Sequence, residues 1–117
     1  EFANDRFEVA VISGDPTKPG PFTIRFKAAD GTRVAPHWHP GDEHLTILQG
    51  SFNVGMGDKF DKAATKELAA GAYAVMPKRM RHFAWCKGET IVQAHGTGPF
   101  KIVWVDDRKG VPKKPTQ

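Results

Sequence analysis

The sequence is short of cysteine and of long apolar runs, and both shortages limit what the protein can be. Cys86 is the only cysteine, so an internal disulfide is excluded and cysteine usage leaves the redox compartment open. A membrane-spanning helix needs about 20 consecutive apolar residues, and no apolar run here approaches that length. We therefore expect a soluble globular domain with no membrane partner.

Net charge is also missing from most of the chain. Residues 108–117 contain four basic residues and no acid, which accounts for the formal net charge of +4 and leaves residues 1–107 neutral. Nucleic-acid binding usually needs a basic face, so we expect no nucleic-acid partner. Prolines within the same basic stretch predict a short flexible tail at about 108–117, at the end of a single domain that spans 1–117.

Helical sequence is scarce as well. Only residues 62–70 have good helix propensity, and because the stretch is short and Gly71 follows, we expect a helical turn that gives way to a strand edge. Strands are predicted at Phe7–Ile12, Phe22–Lys27, Ser51–Met56, Tyr73–Met76, Phe83–Cys86, Thr90–His95 and Phe100–Val105, with a turn at Gln49–Gly50. About eight or more short strands without a true helix predict an all-β antiparallel sandwich or barrel.

The segment from His37 to Gly50 holds the strongest functional signal. His37 and His39 are one residue apart, and such side chains point to the same side of a strand. Glu43 keeps the same odd numbering after the Pro40–Gly41 interruption, so a strand that resumes there brings its carboxylate to the two imidazoles. Three metal ligands are therefore predicted to converge.

A fourth potential ligand, His82, lies just after a turn later in the chain, at the start of the apolar run Phe83–Trp85. Imidazole nitrogen and carboxylate oxygen together suit divalent Mn, Fe, Co, Ni, Cu or Zn. We predict a 3-His-1-Glu site for one such ion. One or two open coordination positions would then admit water, oxygen or substrate, which is typical of catalytic sites.

These two segments resemble the two motifs of the cupin superfamily. The first motif is Gly, five residues, His-x-His, three or four residues, Glu, six residues and Gly, and it is matched by Gly31, His37, His39, Glu43 and Gly50. The second is Gly, five residues, Pro-x-Gly, two residues, His, three residues and Asn. It is matched by Gly71, Pro77 and His82, while Arg79 replaces its second Gly and Cys86 replaces its Asn. The resemblance covers roughly residues 20–105.

The resemblance implies the cupin double-stranded β-helix, or jelly roll, and a homodimer that pairs through sheet edges. Outward-facing residues are candidates for that contact or for a second sheet layer: Trp38, Leu48, Phe83 and Trp85. Similar small cupins are often bacterial and some carry secretory leaders. The expected location is therefore cytoplasmic, or periplasmic or secreted after removal of a leader.

Around the metal we expect a small and largely apolar pocket. Its predicted residues are Phe26, Leu45, Ile47, Phe52 and Val54, with Cys86 as a further candidate that is otherwise a buried apolar residue. His44 has the wrong strand parity for the site and is expected to face outward. His95 is either a turn residue or a pocket residue that moves protons. The basic residues Lys78, Arg79 and Arg81 are either solvated or rim the pocket mouth, where they would attract an anionic substrate.

A metal-dependent enzyme acting on a small organic substrate is the leading functional interpretation. Cupins with this ligand set include dioxygenases, and related ones perform isomerase, lyase and decarboxylase chemistry. We expect oxygen-dependent oxidation of a small acid, enol or phenol, with Glu43 as a candidate base. The alternative is a non-catalytic domain that senses a metal or a small ligand. Cupin-like domains in regulators usually carry a DNA-binding or anti-sigma segment, and these 117 residues contain none.

Overall fold

Strands dominate the part of the chain, residues 7–106, that a computed structural model describes. The strands are β1 (Phe7–Ser13), β2 (Gly20–Ala28), β3 (Arg33–Trp38), β4 (Glu43–Met56), β5 (Lys66–Ala69), β6 (Tyr73–Met76), β7 (His82–Gly98) and β8 (Val103–Trp104). A short 3-10 helix, Lys62–Ala64, precedes β5. The strand pairs are antiparallel, which confirms the predicted all-β antiparallel architecture. The proposed tail at 108–117 lies outside the described residues.

Two long strands organise the sheet. β7 pairs with β2, β3 and β4, and β4 pairs in addition with β5 and β6. β1 is added to the sheet through β2, and β8 through β3. No helix in the described part of the chain is long and apolar enough to cross a membrane.

Both long strands are continuous where the sequence suggested turns. The expected turn at Gln49–Gly50 is wrong, because β4 runs through it with register shifts on either side of Gln49. The two strands expected at Phe83–Cys86 and Thr90–His95 likewise form one strand, β7. Gly50 and Gly88 have φ angles of +79° and +75°, a left-handed conformation that glycine adopts freely. These glycines therefore bend the strands without ending them.

The stretch 62–70 forms the predicted helical turn followed by a strand edge, as the 3-10 helix and β5. The segment between β4 and β5 also buries a residue that was expected outside. Phe83 is 1% exposed, and its ring lies 5.2 Å from that of Phe60. Trp85 is half-buried and donates from Nε1 to Thr65 Oγ1 at 3.1 Å. The segment thus covers this part of the outer face of β7.

The last predicted strand is much shorter than expected. Phe100–Val105 was predicted, but β8 contains Val103 and Trp104 alone. The Phe100 amide donates instead to the carbonyl of Pro16 at 2.6 Å. The chain therefore leaves the sheet ladder before β8 and returns to it opposite His37.

Candidate metal centre

The four predicted ligands lie at the ends of three strands. His37 is in β3, and His39 follows the last residue of that strand. Glu43 is the first residue of β4 and His82 the first residue of β7. His37 and His82 are direct partners in the pairing of β3 with β7. All four side chains are buried, so the sheet topology brings together residues that are up to 45 positions apart in sequence.

Three imidazoles form a compact group. One nitrogen from each of His37, His39 and His82 lies within 4.8 Å of the others. The ring centroids of His37 and His82 are 4.2 Å apart, and that of His39 lies 5.0 Å from the first and 5.3 Å from the second. Glu43 adjoins the group, with Oε1 at 3.2 Å from His39 Nε2 and 3.8 Å from His82 Nε2.

In all three imidazole rings, Nδ1 hydrogen-bonds a backbone carbonyl, which fixes the orientation of each ring. Nδ1 of His37 lies 2.7 Å from the carbonyl oxygen of Ala35, Nδ1 of His39 lies 2.9 Å from that of Lys101, and Nδ1 of His82 lies 3.0 Å from that of Met80. A carbonyl oxygen only accepts, so each Nδ1 carries a proton, and in the neutral ring Nε2 then presents a lone pair. This arrangement of a ligating imidazole is common at protein metal sites.

One contact in the group needs a cation. With the proton on Nδ1, His39 Nε2 and Glu43 Oε1 are both acceptors, yet they lie 3.2 Å apart. Nε2 is buried and has no hydrogen-bond partner. Two facing acceptors away from water repel each other unless a proton or a metal ion lies between them. The donor set therefore fits a divalent metal.

The pKa shifts of the four side chains also fit a bound cation. Burial lowers the pKa of His37 well below its usual value, and the neighbouring His82 and His39 lower it further. Burial also lowers the pKa of His82. For His39, burial is outweighed by Glu43, so its pKa is raised. Burial would raise the pKa of Glu43, but His39 and His82 lower it. A carboxylate among mostly neutral imidazoles is the charge state that a metal ion requires.

Hydrogen bonds from two backbone amides join the segments that supply the ligands. The amide of Arg79 donates to the carbonyl of His39 at 2.8 Å. The amide of Lys78 donates to Asp42 Oδ1, also at 2.8 Å. Arg79 reaches its contact with a φ of +66°, the conformation for which the second cupin motif has glycine. These bonds fix the turn before His82 against the turn between His39 and Glu43.

A cavity of about 100 Å³ opens beside the ligands. Of the predicted pocket residues, Phe26, Leu45 and Phe52 line it. Ile47, Val54 and Cys86 are not among the lining residues and pack in the apolar core. The prediction also missed several lining residues: Phe7, Val9, Ile24, Val34, Phe100, Ile102 and Trp104. Alternation with Phe26 would have indicated Ile24, whereas the others depend on which strands become neighbours.

A family comparison agrees with this architecture. The model of the ChrR cupin-like domain family matches residues 8–101. The chain belongs to this family. The cupin assignment inferred from the two motifs is thereby confirmed at the level of the superfamily.

Two rice proteins share part of this cupin domain's sequence. Germin-like protein 9-3 of Oryza sativa subsp. japonica is 43% identical over 54 residues, which cover 45% of this chain and 25% of that protein. Germin-like protein 5-1 of the same plant is 36% identical over 67 residues, or 56% of this chain and 30% of that protein. The matches thus span roughly a quarter to a third of the length of these curated relatives.

Solved structures resemble the cupin domain over most of its length. KdgF from Halomonas sp. superposes with a TM-score of 0.64 at 17% identity, covering 83% of both chains. Salicylate 1,2-dioxygenase from Pseudoaminobacter salicylatoxidans, in complex with gentisate, gives a TM-score of 0.68 at 15% identity, covering 84% of this chain and 27% of that one. At such identities the likeness concerns the fold, and it confirms the cupin jelly roll.

The cupin domain keeps its two remaining histidines away from the cavity. His44 and His95 are cross-strand partners in β4 and β7, and their rings stack with centroids 4.8 Å apart. His44 Nδ1 also hydrogen-bonds the Tyr73 hydroxyl at 2.6 Å. The inward neighbour of His95, Ala94, is fully buried, so His95 lies on the outer face and was not brought to the ligands.

The basic turn is also outside the cavity. The side chains of Lys78, Arg79 and Arg81 are exposed, and none is among the lining residues. Arg81 lies 3.5 Å from Asp58 and its guanidinium is 5.8 Å from the ring of Trp38. The alternative in which this turn attracts an anionic substrate into the pocket therefore has no support from the geometry.

Proposed function

We propose that this cupin domain binds one divalent transition metal ion, Mn, Fe, Co, Ni, Cu or Zn, and acts with it on a small organic molecule. The proposed ligands are His37, His39, Glu43 and His82. The observation that carries the proposal is the buried pair of acceptors, His39 Nε2 and Glu43 Oε1, at 3.2 Å. Three imidazoles with their protons committed to carbonyls complete the donor set.

Such an ion would act as a Lewis acid and, where it is redox-active, would transfer electrons to oxygen. The chain's own residues then hold and shield the substrate. Apolar side chains around the ligands shield the site from water, and the cavity of about 100 Å³ leaves room for a small molecule. Glu43 is the one ligand able to balance metal charge and also accept a proton. Oxygen-dependent oxidation remains our leading reaction, supported by the shared fold with salicylate 1,2-dioxygenase, with isomerase or lyase chemistry next.

Metal retention tests the site directly. Protein purified without added metal should contain about one equivalent of a divalent ion by elemental analysis. A His37→Ala, His82→Ala double variant should lose it, because two of the three grouped imidazoles are removed. The matched control is His44→Ala, His95→Ala, which removes the two histidines outside the cavity. Wild-type metal content in the first variant would contradict the proposed ligand set.

A second experiment separates an enzyme from a metal or ligand sensor. The metal form identified above is screened for oxygen uptake with small acids, enols and phenols. Glu43→Gln is then compared with wild type at equal metal content. If Glu43 acts as a base, turnover should fall about 100-fold or more. Turnover per bound metal that stays unchanged would leave Glu43 as a ligand only. Binding without turnover across the screen would favour the sensor.

We also propose that the domain forms a homodimer through β1. Among the described residues β1 pairs with β2 alone, and its side chains Val9, Val11 and Ile12 are 58, 56 and 47% exposed. A second copy that adds to this edge would cover them. Light scattering at micromolar concentration should give about twice the chain mass of 12.9 kDa, and Val11→Lys should lower it. A monomer mass for the wild type would overturn the proposal.

The contacts first considered for a dimer are less suitable. Phe83 is buried within its own chain, and Trp85 is half-buried and hydrogen-bonded to Thr65. Trp38 is half-buried beside Arg81. Leu48, at 42% exposure, is the remaining outward candidate.

A further inference from the structure

One residue of the cavity lining has a buried N–H group without an acceptor among the described residues. Nε1 of Trp104 is buried and has no hydrogen-bond partner. Trp104 lines the cavity and lies directly opposite His37 in the pairing of β3 with β8. The two rings are 5.3 Å apart. A buried N–H without an acceptor costs free energy, and an oxygen bound beside His37 would recover it.

The rest of the wall offers almost nothing polar. The rings of Phe7, Phe26 and Phe52 pack in sequence, with centroids 5.3 and 5.9 Å apart. Apart from the proposed ligands, no charged side chain of the described residues lines the cavity. A ligand with a second charged group would therefore bury that charge without a partner, which is strongly unfavourable.

The net charge of the proposed metal centre favours a ligand with one anionic oxygen. A divalent ion with three neutral imidazoles and one carboxylate keeps one net positive charge. One anionic oxygen of a ligand would neutralise it in a site shielded from water. The cavity of about 100 Å³ is smaller than the roughly 150 Å³ apolar cavity that accepts benzene, so the ligand body should be smaller than a benzene ring, at about three to five carbon atoms.

We infer that the ligand is a compact molecule with one oxygen-bearing head and an apolar body, and that Trp104 Nε1 donates to the head oxygen beside the metal. Small branched monocarboxylates and small enols belong to this class, whereas dicarboxylates and sugar-like polyols do not. The inference rests on the proposed metal site. It assigns Trp104 as a residue that determines specificity.

Zinc-loaded protein allows the inference to be tested by binding, since zinc is redox-inactive. The probes are 3-methylbutanoate, which has one carboxylate and an apolar body, and succinate, which has two carboxylates. Titration calorimetry should show at least tenfold tighter binding of 3-methylbutanoate. Trp104→Phe keeps an aromatic ring and removes the N–H, so its affinity for 3-methylbutanoate should fall at least about tenfold, the lower end of the net value of one hydrogen bond to a charged group. The matched control is Trp38→Phe, which should bind like wild type.

A measurement on the wild type guards against a structural effect of the substitution. The chain has three tryptophans, and the indole N–H resonance of Trp104 is the one missing from Trp104→Phe. Addition of 3-methylbutanoate should shift this resonance. The resonance of Trp85 should stay in place, since its Nε1 already donates to Thr65 at 3.1 Å.

Elemental analysis of the same samples distinguishes failure of the proposed metal site from failure of the proposed ligand class. Absence of bound zinc would overturn the proposed function itself. With zinc bound, the inference on the ligand would be overturned by succinate binding as tightly as 3-methylbutanoate, or by neither probe binding. It would also be overturned by an unmoved Trp104 resonance or by unchanged affinity in Trp104→Phe.

Discussion

Alanine at Gly50 should destabilise the protein far more than alanine at Gly88. Both glycines lie at bends in long strands and have nearly the same φ, +79° and +75°. Their surroundings differ. A Cβ added at Gly50 would lie 2.5 Å from the carbonyl oxygen of Glu89 and 2.6 Å from Thr90 Oγ1, whereas a Cβ at Gly88 would meet nothing within 4 Å. Comparison of the two alanine variants therefore separates the energetic cost of backbone strain from that of steric overlap.

The magnitudes follow from these two contributions. A non-glycine residue in the left-handed conformation costs about 1–2 kcal/mol, and this applies to both variants. Overpacking in a filled site adds about 1–3 kcal/mol, and it applies to Gly50 alone because Thr90 is fully buried and Glu89 presents backbone. We expect Gly50→Ala to lose about 2–5 kcal/mol, a large share of the usual total of about 5–15 kcal/mol.

Urea unfolding followed by tryptophan fluorescence measures both losses, with the free energy in water obtained by linear extrapolation. The expected difference between the variants is about 1–3 kcal/mol. Equal losses would show that β4 moves away from Thr90 at little cost. The packing explanation for glycine at this motif position would then be wrong, and conformation alone would account for it.

Three further predictions concern single features of the domain. Arg79→Gly should raise the free energy of unfolding by up to about 1 kcal/mol, because glycine adopts the φ of +66° without strain and its backbone N–H can still donate to the carbonyl of His39. A lower free energy of unfolding in urea would contradict this. Cys86 is fully buried and burial raises its pKa to about 11, so Ellman's reagent at pH 8 should label it in urea but not in the folded protein. Metal at about 1,000 times its Kd should stabilise the fold by about 4 kcal/mol in thermal unfolding. A chelator should remove this stabilisation, and the His37→Ala, His82→Ala variant should not show it.

Local alternation in the sequence determined much of this protein. Strand side chains alternate with period two, and this predicts a common side for Phe22, Ile24 and Phe26. It also predicts a common side for Glu43, Leu45 and Ile47, and these three residues are all buried. The helical turn before β5 follows from local propensity. Motif spacing indicated the four proposed ligands, because His37, His39 and Glu43 share one parity and a turn precedes His82. Such signals need only a few neighbouring residues, so they are readable without the fold.

Tertiary structure decided what depends on partners distant in sequence. Gly50 and Gly88 resemble turn residues locally, but pairing between β4 and β7 carries both strands through them. Phe83 is buried because a separate segment, with Phe60, covers it. Trp104 lies beside His37 only because β8 pairs with β3, although 67 positions separate the two residues in sequence. The carbonyl of Lys101 that orients His39 lies 62 positions away. Parity says which side of a strand a residue faces; the sheet's long-range pairing determines what lies on that side.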